Sequence, residues 1–245
     1  MPLHFVQDGA GSSEVGDAVV LTGAEAHHAA AVRRVRVGEQ VTVGDGRGVW
    51  LEGECEAVSP KEVVVRVDSR RFVEPPHPRV VLVQALAKGD RDELAVQSAT
   101  ELGVDAIVPW QAARSISRWD AAKAVKGVAR WQSIAREAAK QAHRAWLPEV
   151  EDPVTTAELA SRAAISLVLV LEPTADEPLT ALEAIAAERG DILLVVGPEG
   201  GIAPEELERL QRAGARTVRL GDTVLRTSTA GPAALAVVSA ALGRW

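Results

Sequence analysis

Three stretches of the sequence end a near-continuous apolar run in small or turn-forming residues: Leu171-Glu172-Pro173, Gly197-Pro198-Glu199-Gly200-Gly201 and Leu220-Gly221-Asp222. Glycine and proline leave little side-chain bulk, so backbone amides and carbonyls at these points can approach a flat ligand such as adenine. In open α/β sheets ligands settle in the crevice beyond the carboxyl ends of the strands, and the three exits therefore predict a pocket read by backbone groups. Neither Gly-x-Gly-x-x-Gly after the first strand nor Gly-x-x-x-x-Gly-Lys-Ser/Thr is present, which sets aside the dinucleotide fingerprint and the phosphate loop. The five histidines, His4, His27, His28, His77 and His143, do not fall at metal-ligand spacing, and the single Cys55 can form no internal disulfide. No metal is expected.

To place these exits on one edge, the chain needs buried parallel strands. The runs Val80 to Leu86, Ala106 to Pro109, Ser166 to Leu171, Asp191 to Val196 and Thr217 to Leu220 are each near-continuously apolar, as strands covered on both faces are. Helical stretches alternate with them: Glu93 to Leu102, Ala121 to Trp146, Pro178 to Glu188, Pro204 to Ala213 and Gly231 to Leu242. Pro204 with Glu205-Glu206 suits a helix start, and Gly214 suits its C-terminal end. The longest helix sets Arg136, Lys140 and Arg144 at i, i+4 spacing as a basic stripe. Trp131 and Trp146 read as core or dimer residues. This second region is α/β.

The first seventy residues follow another pattern. Short runs, Ala18 to Leu21, Gln40 to Val43, Gly48 to Leu51 and Glu62 to Val67, are punctuated by turns such as Gly44-Asp45-Gly46 and Ser59-Pro60, which predicts a small β-rich module. One helix, Ala24 to Val35, interrupts it and carries Arg33, Arg34 and Arg36 at its far end. Glu74-Pro75-Pro76-His77-Pro78 enforces an extended connection. The expected domains are residues 1–73 and 78–245.

A net charge of −7 speaks at first against a nucleic-acid partner. The charge is unevenly spread: residues 1–75 hold 8 basic and 12 acidic side chains, residues 76–148 hold 11 and 7, and residues 149–245 hold 8 and 15. The middle third is thus net +4, which is compatible with RNA binding and equally with a solvated helix face. No apolar run reaches the roughly 18 residues of a membrane span, and Met1-Pro2-Leu3-His4 does not open a leader peptide, so a cytoplasmic location is expected.

The combination of motifs is more specific than its parts. The segments Gly197 to Gly201 leading into Ala203-Pro204-Glu205-Glu206, and Leu220-Gly221-x-x-Val224-Leu225-Arg226-Thr227-x-Thr229-Ala230, resemble the bacterial ribosomal RNA small subunit methyltransferase E family, the 16S rRNA uracil-N3 methyltransferases of the SPOUT class. Gln97-x-x-Thr100-Glu101-Leu102-Gly103-Val104, Arg114-Ser115, and Ile134, Glu137, Gln141 and Arg144 are similar to it as well, and the N-terminal module resembles its PUA-like β-barrel domain. The resemblance implies a parallel sheet with a C-terminal trefoil knot, a homodimer, and S-adenosylmethionine held by Leu171, Glu172, Pro173, Gly197, Pro198, Gly200, Gly201, Leu220, Gly221, Val224, Leu225 and Thr227. Three positions depart from the family: Ser228 where glutamate is frequent, Ser98 where lysine is, and Leu3-His4-Phe5 without the early arginine.

What the resemblance implies chemically is methyl transfer to N3 of a specific uridine in 16S rRNA, within the 30S subunit. The methyl of S-adenosylmethionine is already activated, so the protein must align the attacking nitrogen and favour the uracil anion. Arg226 is the candidate cation, with a structural salt bridge as its alternative. Glu199 is the candidate base or substrate positioner, or else a cap on its own turn. RNA contacts are expected from Arg33, Arg34, Arg36, Lys88, Arg91, Arg114 and Arg118, mostly to phosphate. Two other readings use the same features: a ribose 2′-O-methyltransferase of the same class, and a ribosome-assembly protein that has lost catalysis. A nicotinamide-dependent oxidoreductase lacks its glycine fingerprint.

Overall fold

The computed structural model describes residues 2–181 and 190–245. The chain divides into two compact units, residues 76–138 with 148–245, and residues 1–75 with 139–147. The segment 139–147, which the sequence assigns to the second domain, thus packs with the first.

In the larger unit the apolar runs become strands β6 (Val80–Ala85), β7 (Ala106–Trp110), β9 (Leu167–Leu171), β10 (Ile192–Val196) and β11 (Arg216–Val218), joined by the short β8 (Glu149–Val150). All pairings are parallel, in the order β11-β9-β10-β6-β7-β8. Their near-continuous apolar character follows from burial on both faces. Leu82, Ile107, Leu169 and Leu194 point to one side with Ala95, Val96, Trp131 and Leu235. Val83, Val108, Val170 and Val195 point to the other with Leu159 and Leu210. The covering helices are α2 (Arg91–Glu101) and α6 (Thr227–Ala241) on the first side, and α4 (Thr156–Arg162) and α5 (Pro204–Arg212) on the second. Because β10 lies between β9 and β6, Leu171, Val196 and Gln84 share one register and the three strand ends lie side by side.

Several boundaries differ from the sequence reading. Helix α6 begins at Thr227, four positions before the expected start, and Gly231 and Pro232 lie inside it. Gly231 is needed there: a Cβ would stand 2.7 Å from Leu82 Cδ1 and 3.3 Å from Val196 Cγ2. Helix α3 (Ala121–Gln141) stops short of Trp146, and His143 turns the chain with φ of 54°. Arg144 therefore lies beyond the helix, and Lys140 is buried, with Nζ 2.6 Å from Glu25 Oε1. A continuous solvated basic stripe is thereby ruled out, because burial and ion pairing take Lys140 out of water. Of the expected helix Pro178 to Glu188, only a 3-10 turn at Leu179–Ala181 is described, and 182–188 lie outside the described residues. Helix α4 adds to the helices read from the sequence, and Thr155-x-x-Glu158 forms a reciprocal capping box at its start.

The smaller unit is a curled five-stranded sheet with the order β1-β3-β4-β5-β2, formed by β1 (Leu3–Val6), β2 (Ala18–Thr22), β3 (Gln40–Gly44), β4 (Val49–Val58) and β5 (Glu62–Phe72). Its core gathers Phe5, Leu21, Val43, Leu51, Cys55 and Val65. Gly53 sits at a bulge where a Cβ would come within 2.1 Å of Arg66 O. The expected helix Ala24 to Val35 is shorter: α1 (Gly23–His27) gives way to one π-turn over His28–Val32, and Arg34 adopts φ of 56°. Beyond the helix end, Trp146 packs edge-on to Phe72 and donates its Nε1–H to Val73 O at 2.8 Å.

Candidate functional site

At the carboxyl edge of the parallel sheet the exits of β9 and β10, the loop after β11 and the start of α6 enclose a cavity of about 360 Å³. Its lining brings together Leu171, Glu172, Pro173, Gly197, Pro198, Gly201, Leu220, Val224, Leu225 and Thr227 with the two catalytic candidates, Glu199 and Arg226. Two candidates stand outside it. Gly200 turns its carbonyl to Arg114 Nη1 at 3.1 Å, and Gly221 supplies a left-handed turn with φ of 66°. Val196, Ile202, Thr223 and Ala230 complete the wall, as does Arg91, which the sequence assigns to RNA. The volume, the apolar side chains and the bare backbone of the exits fit a nucleoside-sized ligand.

The two charged candidates are held differently. Glu199 Oε1 accepts from the Lys88 backbone N–H at 3.1 Å and from Arg91 Nη1 at 2.9 Å. Partial burial pushes its pKa up, but its own amide, the Lys88 amide and the Arg91 guanidinium together outweigh burial, and the net shift is downward. Glu199 is therefore an ionised carboxylate bridging the β10 exit to the loop after β6, and a weak base. That loop is shaped by Asp92, whose Oδ2 accepts from Ala87 N–H at 3.1 Å, while burial holds its pKa above the ordinary carboxylate value. The Arg226 guanidinium, in contrast, is exposed and forms no ion pair or hydrogen bond with any described residue. The structural salt bridge considered for it is absent among the described residues.

Thr227 is buried behind Arg226. Its hydroxyl donates to Gly197 O at 2.9 Å and accepts from Gln84 Nε2 at 2.9 Å, leaving at most one lone pair for a ligand. Sequence reasoning missed Gln84; its signal was a lone polar residue inside the apolar run Val80 to Leu86.

The basic residues fall into two sets. Arg33, Arg34 and Arg36 are exposed on the smaller unit. Lys88, Arg91, Arg114 and Arg118 are exposed on the larger one, Arg91 and Arg114 holding the Glu199–Gly200 loop and Arg118 donating to Ala113 O at 2.8 Å. Among the described residues no group of three His, Cys, Asp or Glu side chains could hold a metal, and no helix is long and apolar enough to cross a membrane. Burial raises the Cys55 thiol to about 11, with Glu39 and Glu54 adding to it, which removes it as a nucleophile.

A parallel sheet with a backbone-lined pocket at its carboxyl edge, joined to a small β unit, defines a class that known proteins make explicit: residues 74–239 match the RNA methyltransferase domain family and residues 21–68 the RNA methyltransferase PUA domain. The chain is 46% identical over 237 residues to ribosomal RNA small subunit methyltransferase E of Mycobacterium tuberculosis, covering 95% of this chain and 90% of that protein. The Bacillus subtilis protein of the same name is 34% identical over 246 residues, covering 98% and 96%. The chain belongs to the ribosomal RNA small subunit methyltransferase E family. Its fold is similar to that of the Neisseria gonorrhoeae member solved with S-adenosylmethionine (TM-score 0.85, 28% identity, 98% of both chains). A Legionella pneumophila methyltransferase with the same bound cofactor is equally similar (TM-score 0.85, 32% identity, 98% of both chains).

Proposed function

We propose that this protein transfers the methyl group of S-adenosylmethionine to N3 of a specific uridine of 16S rRNA in the 30S subunit. The observation that carries this reading is the Arg226 guanidinium, without a partner among the described residues, at a backbone-lined cavity in a chain of this family. When bound, S-adenosylmethionine supplies a methyl group already activated by its sulfonium. Leu171 to Pro173, Gly197, Pro198, Leu220, Val224 and Leu225 would hold it through backbone groups and apolar contacts. N3 of uracil is poorly nucleophilic while protonated; its proton passes to solvent water, and Arg226 stabilises the anion left spread over O2 and O4. Glu199, depressed and already paired, keeps Arg91 and the Lys88 loop in place and is not the base.

The same reading includes RNA phosphate contacts from Arg33, Arg34, Arg36, Lys88, Arg114 and Arg118, a trefoil knot, a homodimer and a cytoplasmic location; these rest on the family likeness. Sedimentation equilibrium tests the dimer.

Incubation with labelled S-adenosylmethionine and 30S subunits lacking the modification, followed by mass spectrometry of the nucleosides, is the direct test. N3-methyluridine is expected. Label on a ribose 2′-oxygen would move the protein to that activity, and no label with intact cofactor binding would make it a non-catalytic binder. Arg226→Ala should lower turnover at least tenfold, about 1.4 kcal/mol in transition-state terms. A loss of threefold or less removes its catalytic role.

A further inference from the structure

Among the buried polar residues that take no part in the mechanism, Gln84 lies beside the start of α6. Gln84 is fully buried near the end of β6, in register with Val196 of β10, and does not line the cavity. A buried amide among valines and leucines costs free energy unless its hydrogen bonds compensate, so its partners define its purpose. Its Nε2 donates to Ala85 O at 3.2 Å and to Thr227 Oγ1 at 2.9 Å, while its Oε1 has no partner among the described residues. With Gln84 donating, the one hydroxyl proton of Thr227 is committed to Gly197 O at 2.9 Å. One chain of hydrogen bonds thus ties the β6 end, the first turn of α6 and the β10 exit, across 143 and 30 positions of sequence.

We propose that Gln84 is a positioning residue for Arg226, acting through Thr227. Arg226 directly precedes Thr227 and has extended backbone (φ −66°, ψ 152°) at the start of α6, with no side-chain cap. Its guanidinium has no partner among the described residues, so its position follows from its backbone, and the backbone is pinned at Thr227. On the cofactor side of the cavity this hydrogen-bond chain reaches Thr227 and Gly197 O, whereas Leu171 to Pro173, Leu220, Val224 and Leu225 make no side-chain hydrogen bond to Gln84 or Thr227 among the described residues. Loss of the amide should therefore reach turnover and largely spare cofactor affinity.

The inference rests on the catalytic reading of Arg226, and the test separates the two. Full-length Gln84→Met, Arg226→Ala, the double variant, Thr227→Val and Thr227→Ser are compared for S-adenosylmethionine affinity by calorimetry and for single-turnover methylation of unmodified 30S subunits. Gln84→Met should lower the rate at saturating cofactor about tenfold with affinity within threefold. Added to Arg226→Ala it should cost no more than twofold, because the residue it positions is already gone. Thr227→Ser should recover most of what Thr227→Val loses, since it keeps the hydroxyl. An unchanged rate in Gln84→Met, or a loss that multiplies fully with that of Arg226→Ala, overturns the inference. If Gln84→Met does not fold, equal rates in the two Thr227 variants overturn it instead. A fully active Arg226→Ala would overturn the catalytic reading itself, whereas an inactive Arg226→Ala beside an active Gln84→Met removes only the positioning role.

Discussion

Arg226 and Glu199 line one cavity, yet the Arg226 guanidinium has no partner among the described residues while that of Arg91 is spent on the Glu199 carboxylate. That difference separates a cation available to a substrate from one that shapes a loop. A titratable group of the smaller unit shows burial at work. His4 is buried, stacked on Trp50 with centroids 4.3 Å apart, and donates to or accepts from Thr42 Oγ1 through Nδ1 at 2.9 Å. Burial first, then His143 and Lys140, lower its pKa to about 3. Neutral His4 in the folded protein and an ordinary imidazole in the unfolded chain mean that the unfolded chain binds the extra proton, so stability is lost as pH falls below the unfolded value near 6.5. Between pH 7 and pH 5 this should remove about 2 kcal/mol. Urea denaturation at the two pH values checks it; the gap should narrow in His4→Leu, and an equal gap in that variant refutes the assignment. The buried Lys140–Glu25 pair gives a second expectation: Lys140→Met leaves Glu25 uncompensated and should destabilise the smaller unit by about 3 kcal/mol, measured by the same denaturation.

Among the elements, α6 sets the back wall of the cavity and α5 braces its side. Gly231 lets α6 approach the sheet, so Gly231→Val must move the helix away from Leu82 and Val196 or force both aside. Overpacking of this kind costs about 1–3 kcal/mol, and a fall in Tm of about 2–4 °C per kcal/mol is expected in calorimetry, with cofactor affinity reduced in parallel. An unaltered Tm would show that the approach is not close. At the start of α5, Glu206 accepts from Ala113 N–H at 2.9 Å and from Thr156 Oγ1 at 2.5 Å, and so joins three segments through one carboxylate. The start of α5 was legible in Pro204-Glu205-Glu206 because proline and first-turn carboxylates act locally. The start of α6 was not, because Gly231 and Pro232 argue locally against a helix interior and only packing on the sheet overrides them. The end of α3 was hidden for a similar reason: His143 gives no signal of a left-handed turn.

For the whole molecule, electrostatics and ligand linkage give the measurable consequences. Reversing Arg33, Arg34 and Arg36 together should weaken RNA binding and reduce the slope of log affinity against log salt by about 2–3, given roughly 0.7–0.9 per phosphate contact. An unchanged slope removes them from the RNA surface. Saturating S-adenosylmethionine at about one hundred times its Kd should stabilise the folded protein by about 2.7 kcal/mol, and no thermal shift would contradict the pocket assignment. The sequence by itself determined the α/β class, the long apolar strands of the larger unit and the three exits, though not the short β1 and β8, because burial on both faces writes an apolar run and tight turns write glycine and proline. Through the residues it shares with a family, it also pointed to the cofactor and the RNA. Only the tertiary structure decided that Gly200 and Gly221 shape the cavity without lining it, that Glu199 is already occupied, and that Arg226, beside the Gln84–Thr227 pair, has no partner among the described residues. Those facts depend on which strand ends meet after β10 inserts between β9 and β6, and hydrogen bonds across 143 positions have no local signature.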